Sequence, residues 1–124
     1  MVECERLGRD PGEARNVGSF ALFVARDPDA AWERIAPHAL HETNSYAGWY
    51  VESGVVGPYQ AFPDADALRA SGLYQVLTPD ECVALAKGLE PEGWLYVHPL
   101  VGGLDPAVGW ESLELLASDV LPRL

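Results

Sequence analysis

The feature that most constrains the fold of this sequence is the repeated alternation of a short apolar run with a proline-marked helix start. The apolar runs are Ser19–Ala25, Leu73–Leu77 and Trp94–His98. Runs of this length are too short for helices, and nearly continuous apolar composition is typical of strands covered on both faces, as in parallel sheets. The alternation therefore predicts parallel strands joined by helices.

Each apolar run is followed by a residue that can cap a helix and then by a proline. These pairs are Asp27-Pro28, Thr78-Pro79 and Asp105-Pro106. The side-chain oxygen of Asp or Thr accepts a hydrogen bond from a free backbone N–H at the helix start, and proline suits the first helical position. Thr78 and Glu81 also fit a capping box. The pattern predicts the helices Pro28–Glu52, Pro79–Lys87 and Pro106–Leu121.

Several further elements follow from local signals. Val2–Leu7 is predicted as a short opening helix, Gly8–Gly18 as a polar turn-rich stretch, Pro63–Ser71 as a short helix and Gly54–Pro63 as an irregular connection. Pro37 lies inside the first long helix and is expected to kink or split it. The predicted core face of the last helix carries Trp110, Leu113, Leu116, Ala117 and Val120, which recur at three- and four-residue spacing.

Composition restricts the possible functions. The chain has 124 residues, enough for one domain, and a net charge of −11. Such a surface repels phosphate backbones and anionic membranes, so neither nucleic acid nor membrane is an expected partner. Met1–Asp10 has no apolar run of the kind found in signal peptides, and two unpaired cysteines suit a reducing compartment. We therefore expect a single cytoplasmic domain spanning residues 1–124.

The residues able to bind a metal or take part in catalysis are concentrated in one predicted helix. His38, His41 and Glu42 form an H-x-x-H-E sequence, which is neither of the metalloprotease patterns. With His98 they would complete a metal site, but a polar helix face or a substrate pocket is the simpler interpretation, and we predict no metal. The aromatic residues Tyr46, Trp49 and Tyr50 follow on the same helix. They are either core or, with His38 and His41, the lining of a substrate pocket.

Gly102 and Gly103 lie between the third apolar run and its helix. Backbone N–H groups at such a position can hold a phosphate, and barrels often place phosphate near their last loops. The alternative is a tight turn that needs the conformational freedom of glycine. The two glycines are weak candidates for cofactor binding.

Four segments resemble, in order, the C-terminal part of luciferase-like, flavin-dependent oxidoreductases. They are CERLGRDPG (Cys4–Gly12), FVARDPDAAWERIAPHALHE (Phe23–Glu42), SGLYQVLTPDECVALA (Ser71–Ala86) and LYVHPLVGGLDPAVGWESLELLASDVLPRL (Leu95–Leu124). The resemblance implies a (β/α)₈ barrel of which this chain forms about the last three βα units. It also implies FMN or a deazaflavin as cofactor and oxidation or oxygenation of a small organic substrate, as in a monooxygenase.

A whole barrel needs about 250 residues, so a chain of 124 residues supplies only part of one. The resemblance places most flavin contacts in the remaining strands, and catalysis by this chain alone is therefore not expected. Three βα units would leave two open sheet edges and one uncovered face, which favour association. We expect self-association or a partner that carries the N-terminal part of the barrel. An inactive remnant and a self-associating binding module are the alternatives.

Overall fold

The structure, a computed structural model, describes residues 6–8, 20–89 and 93–124. Two strands, β1 (Ala21–Val24) and β2 (Tyr74–Leu77), form a parallel pair. The helices are α1 (Pro28–Ser53), α2 (Ala65–Ser71), α3 (Pro79–Gly88) and α4 (Pro106–Leu115). A 3-10 turn, Val101–Gly103, precedes α4, and a π turn, Leu116–Val120, and a 3-10 turn, Leu121–Arg123, continue it. The fold class is therefore α/β and mostly helical.

The helix starts are those that the sequence predicts. Asp27 accepts from the N–H of Ala30, and Thr78 and Glu81 form the capping box at the start of α3. Asp105 accepts from the N–H of Ala107. Helix α1 runs without interruption past Pro37, so the expected split does not occur. Most of the predicted opening helix and nearly all of the stretch after it lie outside the described residues.

Strand β1 lies in the middle of the parallel arrangement. Its register with β2 pairs Ala21 with Tyr74 and Val24 with Leu77. On its other side, the N–H of Leu22 donates to the carbonyl of Tyr96 (2.9 Å), and the N–H of His98 donates to the carbonyl of Leu22 (3.0 Å). The third predicted strand is thus a short parallel segment, residues 94–98, held by the bridge between Leu22 and Val97.

The order of these segments differs from that of three successive barrel strands. In a barrel each strand pairs with the next one along the chain, whereas here β1 separates β2 from the 94–98 segment. Helices α1 and α3, which belong to the two connections between the strands, cover opposite faces of β1. Ala21 and Phe23 pack with α1, and Leu22 and Val24 pack with α3. The expectation of an uncovered face of β1 is therefore wrong. The partial barrel itself is not confirmed.

Helix α4 passes across the carboxyl end of β1. Val108 packs with the core on the α1 side, whereas Leu115 and Val120 pack with the core on the α3 side. Because Pro99 diverts the chain after His98, the N–H of Val24 finds no strand partner and donates instead to Oγ of the buried Ser112 (2.8 Å).

The predicted core face of α4 is wrong at Trp110, which is 63% exposed. The small residues Gly109 and Ser112 face inward instead. A Cβ at Gly109 would overlap the carbonyl oxygen of Pro99, just after the 94–98 segment. This close contact requires glycine on the buried face of α4.

No helix in the described part of the chain is long and apolar enough to cross a membrane.

Replacing Ser112 tests the role of α4 as a substitute strand neighbour. Ser112→Ala would leave the buried N–H of Val24 without an acceptor, and we expect the free energy of unfolding to fall by about 1–3 kcal/mol. Urea denaturation followed by circular dichroism measures this. The control, Ser118→Ala, removes an exposed hydroxyl from the same end of the chain and should change stability by less than about 0.5 kcal/mol. Equal effects of the two substitutions would show that the hydroxyl of Ser112 has no special role.

Candidate functional site

A largely buried carboxylate, that of Glu42 in α1, faces the sheet and accepts hydrogen bonds from three separate parts of the chain. The hydroxyl of Tyr74, in β2, donates to Oε2 of Glu42 in a short hydrogen bond. Nε2 of His98 lies 2.9 Å from Oε1, and the N–H of Gly102 donates to the same oxygen over 3.3 Å. The side chain of Glu42 is only 11% exposed and that of His98 27% exposed. We refer to Glu42, Tyr74, His98 and Gly102 as the Glu42 network.

The histidines of the predicted helix separate in the structure. Nδ1 of His38 lies 3.2 Å from the carbonyl oxygen of Gly102, so His38 borders the Glu42 network. His41 is exposed and contributes nothing to it. Within residues 6–8, 20–89 and 93–124, no group of three histidine, cysteine or acidic side chains has the arrangement of a metal site.

The two glycines after the third segment form a tight turn rather than an open anion site. Both have positive φ angles, 46° at Gly102 and 81° at Gly103. A Cβ at Gly102 would overlap the carbonyl oxygen of His38, so the turn packs closely on α1. Because the N–H of Gly102 already donates to Glu42, a phosphate at this position would have to displace a carboxylate.

The predicted aromatic residues gather around Tyr59 near the amino end of β1. The ring of Tyr46 stacks on Tyr59 with centroids 4.5 Å apart, and Phe20, just before β1, meets Tyr59 edge-on at 5.3 Å. Trp49 packs against Tyr46 but is otherwise exposed, and Tyr50 lies 6.4 Å from Tyr59. These residues therefore lie at the end of the sheet opposite to the start of α1.

The phenols beside Glu42 are held in their neutral form. Burial, reinforced by the Glu42 carboxylate, raises the pKa of Tyr59 to about 12. Burial also raises the pKa of Tyr74, and the hydrogen bond from its hydroxyl to Glu42 raises it further, because a phenolate cannot donate. Both hydroxyls therefore remain protonated at neutral pH, and Tyr74 acts as a donor to Glu42.

A crevice of about 370 Å³ lies at the carboxyl end of β1, between the start of α1 and α4. Its charged lining residues are Arg26, Asp27, Arg34 and Glu111. Arg34 forms an exposed ion pair with Glu111 (3.3 Å) across the crevice, and Arg26 pairs with Asp119 (3.1 Å). In open α/β sheets, ligands bind outside the carboxyl ends of strands where successive connections diverge to opposite faces, and this crevice occupies such a place.

Sequence reasoning found some of these residues and missed others. The sequence pattern joins His98 to Glu42 as possible members of a metal site, and the structure brings the two side chains together in a hydrogen bond. Tyr74 had no role in that grouping, because a tyrosine in an apolar run is most simply a core residue. Arg26 and Arg34 carried no signal beyond their charge, and only the path of α4 shows that they line one crevice.

Comparison of the chain with protein-family models, curated proteins and solved structures finds no match.

Glu42→Gln tests whether the carboxylate holds the network together. Glutamine keeps one acceptor oxygen but replaces the other with a donor that faces the donors of Tyr74 and His98. Hydrogen bonds to charged groups contribute about 1.5–3 kcal/mol, and we expect a loss of that size in the free energy of unfolding. The matched control is Glu33→Gln, an exposed position on the same helix. If both variants unfold at the same urea concentration, the network contributes no stability.

The raised pKa of the two phenols predicts weaker folding in alkali. The folded state favours neutral Tyr59 and Tyr74, so this contribution to stability is complete below the unfolded pKa of about 10. The share of Tyr59 is lost as pH rises toward about 12, and the share of Tyr74 keeps falling above that pH. The free energy of unfolding, measured in urea at pH 8, 10 and 11.5, should fall over the upper interval. The free energy of unfolding of Tyr59→Phe should fall less steeply than that of the parent chain. A parallel decline in the two proteins would show that other groups cause the effect.

Proposed function

We propose that this chain is the C-terminal part of a luciferase-like, flavin-dependent oxidoreductase of the monooxygenase type. In this proposal it acts with further strands of a (β/α)₈ barrel, because 124 residues are too few to form the whole ring. The resemblance in four ordered segments supports this reading. The parallel pairing of β1 with β2 is compatible with it, whereas the pairing of β1 with the 94–98 segment departs from the strand order of a barrel.

The observation that carries the proposal is the crevice at the carboxyl end of β1. Parallel α/β proteins bind their ligands at this end of the strands. The crevice is lined by one face of α1 and one of α4, with Arg26 and Arg34 at positions where an anionic group can reach them. Its volume of about 370 Å³ lies in the range of small-molecule sites, and added strands would enclose it further.

The residues present fit an anionic cofactor at the crevice better than at the glycine turn. Arg34 and Arg26 are exposed and pair with carboxylates that an incoming phosphate can replace. Gly102, by contrast, is committed to Glu42. We therefore assign the phosphate of FMN or of a deazaflavin to the arginines of the crevice and not to Gly102 and Gly103.

The chain's own contribution is binding and orientation. Arg34 attracts the anionic group, and Ser112 fixes α4 against β1 so that the crevice keeps its width. When bound, the reduced flavin or deazaflavin supplies a hydride or activates oxygen. Tyr46, Trp49 and Tyr50 lie at the other end of the sheet. The proposal therefore does not place them, or His38 and His41, beside the cofactor.

The arrangement of strands sets a condition on the barrel. In a closed barrel, β1 can pair with both β2 and the 94–98 segment only if β2 precedes β1 around the ring, although β2 follows β1 in the sequence. We propose that β2 either gives up this place when the remaining strands assemble or lies outside the ring. The contacts of β2 with β1 would then differ between the isolated chain and the assembled enzyme.

A second candidate function is that of a self-associating, non-catalytic α/β module. The exposed apolar residues favour it, since Val51 and Val56 are 85% and 96% exposed and Trp110 is also uncovered. Within the described residues, β2 has only β1 as a strand neighbour, which leaves an edge for pairing. Light scattering after size-exclusion chromatography over a hundredfold concentration range would show a concentration-dependent oligomer without any flavin dependence.

A flavin titration tests the proposed function directly. Fluorescence polarisation of FMN and of a deazaflavin should show saturable binding to the full chain below about 1 mM. The crevice and its arginines are present before any partner binds, but the contacts of the remaining strands are missing, so we expect this binding to be weak. Arg34→Gln should weaken binding about tenfold, as expected for the loss of a charged hydrogen bond.

Arg69→Gln is the matched control for this titration, because Arg69 is an exposed arginine paired with Asp29 outside the crevice. It should leave flavin affinity unchanged. No binding of either cofactor up to about 1 mM, or equal loss in the two variants, would overturn the assignment of the cofactor to this crevice.

A further inference from the structure

Glu111 is the least restrained charged residue of the crevice. It extends from α4 and forms an ion pair with Arg34 of α1 over 3.3 Å. The side chain of Glu111 is 66% exposed and that of Arg34 52% exposed. Among the residues that the structure describes, neither side chain forms a second ion pair. Exposed pairs of this kind contribute little to stability, so this pair can open readily.

The other ion pair at the crevice is held more firmly. Arg26 pairs with Asp119, in the turn that continues α4, over 3.1 Å, and the side chain of Asp119 is only 31% exposed. The hydroxyl of Ser118 also donates to the Asp119 carboxylate (2.6 Å). This hydrogen bond, together with the charge of Arg26, lowers the pKa of Asp119. Two partners therefore hold the carboxylate of Asp119, whereas one partner holds that of Glu111.

We propose that Glu111 is an internal competitor for the anion site of the crevice, and that a phosphate ester binds by replacing the Glu111 carboxylate at Arg34. A guanidinium group binds carboxylates and phosphates through the same fork of N–H donors, so the two acceptors compete for it. A phosphate monoester carries more negative charge than a carboxylate and is favoured in the exchange. This inference rests on the proposed function, because it takes the crevice as the place of the anionic group.

Release of Glu111 leaves the crevice intact, because other contacts anchor α4 to the sheet. Ser112, the next residue, is buried and accepts from the N–H of Val24 (2.8 Å). Val108 and Leu115, about one turn to either side, pack with the two cores of the chain. The side chain of Glu111 can therefore turn away without any movement of the helix.

The charges that line the crevice cancel while Glu111 is paired. The lining holds two positive and two negative residues, Arg26, Asp27, Arg34 and Glu111. Asp27 caps α1 by accepting from the N–H of Ala30 (3.1 Å), so its position is fixed. Only the departure of Glu111 leaves the lining positive, in a chain with a net charge of −11. The apparent Kd for an anion is then the intrinsic Kd divided by the fraction of molecules in which Arg34 is free.

Glu111→Gln tests this competition. Glutamine has nearly the same size as glutamate and no charge, so Arg34 loses its competitor. Because exposed ion pairs are weak, we expect the Kd for a phosphate ester to fall about two- to fivefold. The matched control is Glu114→Gln, which removes the same charge from α4. Glu114 is exposed, lies one turn further along the helix and does not line the crevice.

The experiment is a pair of titrations of the full chain at constant ionic strength. FMN is followed by fluorescence polarisation, and phenyl phosphate by the amide NMR shifts of the ¹⁵N-labelled chain. Both Kd values should fall in Glu111→Gln and stay nearly unchanged in Glu114→Gln. In an Arg34→Gln background, Glu111→Gln should have no larger effect than Glu114→Gln, because the group for which the carboxylate competes is gone.

The outcomes separate this inference from the proposed function. Equal effects of Glu111→Gln and Glu114→Gln would overturn the competition, as would the same gain from Glu111→Gln with and without Arg34. If FMN binding depends on Arg34 but not on Glu111, the proposed function stands and this inference fails. If phenyl phosphate shows the expected dependence on Glu111 but FMN does not bind up to about 1 mM, the cofactor assignment fails and the competition stands. Binding of neither probe overturns both.

Discussion

The relative positions of the helices and strands depend most on the hydrogen bonds that the Glu42 carboxylate accepts. It lies in α1, yet its partners come from β2, from the end of the 94–98 segment and from the turn before α4. Removing a carboxylate from water is costly unless its oxygens are hydrogen-bonded. Here three donors meet that requirement, and no buried side-chain polar atom among the described residues lacks a partner. A single side chain thus fixes the relative positions of elements that the chain reaches about 30 to 60 residues later.

The position of α1 then determines where the concave surfaces of the chain form. With 26 residues the helix is about 39 Å long, much longer than the four-residue strands beside it. One end therefore meets α4 at the carboxyl end of β1, where the crevice forms. The other end extends past the amino end of the sheet, where, among the described residues, the 54–61 connection and the aromatic cluster around Tyr59 cover it. Because Glu42 anchors the middle of the helix, the crevice at one end and the surface beside the connection at the other keep their shape.

Local signals in the sequence were sufficient for the elements but not for their order. The Asp27, Thr78 and Asp105 caps each act within three residues, so the helix starts could be predicted. The parallel direction of the strands also followed from the alternation of elements. Which strand neighbours which depends on contacts far apart in sequence, such as Leu22 with Val97, and no local pattern encodes them.

The same limit applies to the candidate site. Proximity in sequence linked His38, His41 and Glu42, but the 3.6-residue helical repeat turns His41 to solvent while Glu42 faces the sheet. The partners that matter for Glu42 come from other elements. Ser112 illustrates the point for α4, since a serine on an apolar face has no evident role until the N–H of Val24 that donates to its hydroxyl is located.

The most direct test of this account is a double-mutant cycle around Glu42. The free energies of unfolding of Tyr74→Phe and His98→Asn would be measured in the parent chain and in a Glu42→Gln background. If Glu42 joins the three elements, each substitution should cost at least about 0.5 kcal/mol less once the carboxylate is gone. Additive effects, with the same cost in both backgrounds, would show that Tyr74 and His98 stabilise the fold independently of Glu42 and would contradict the account.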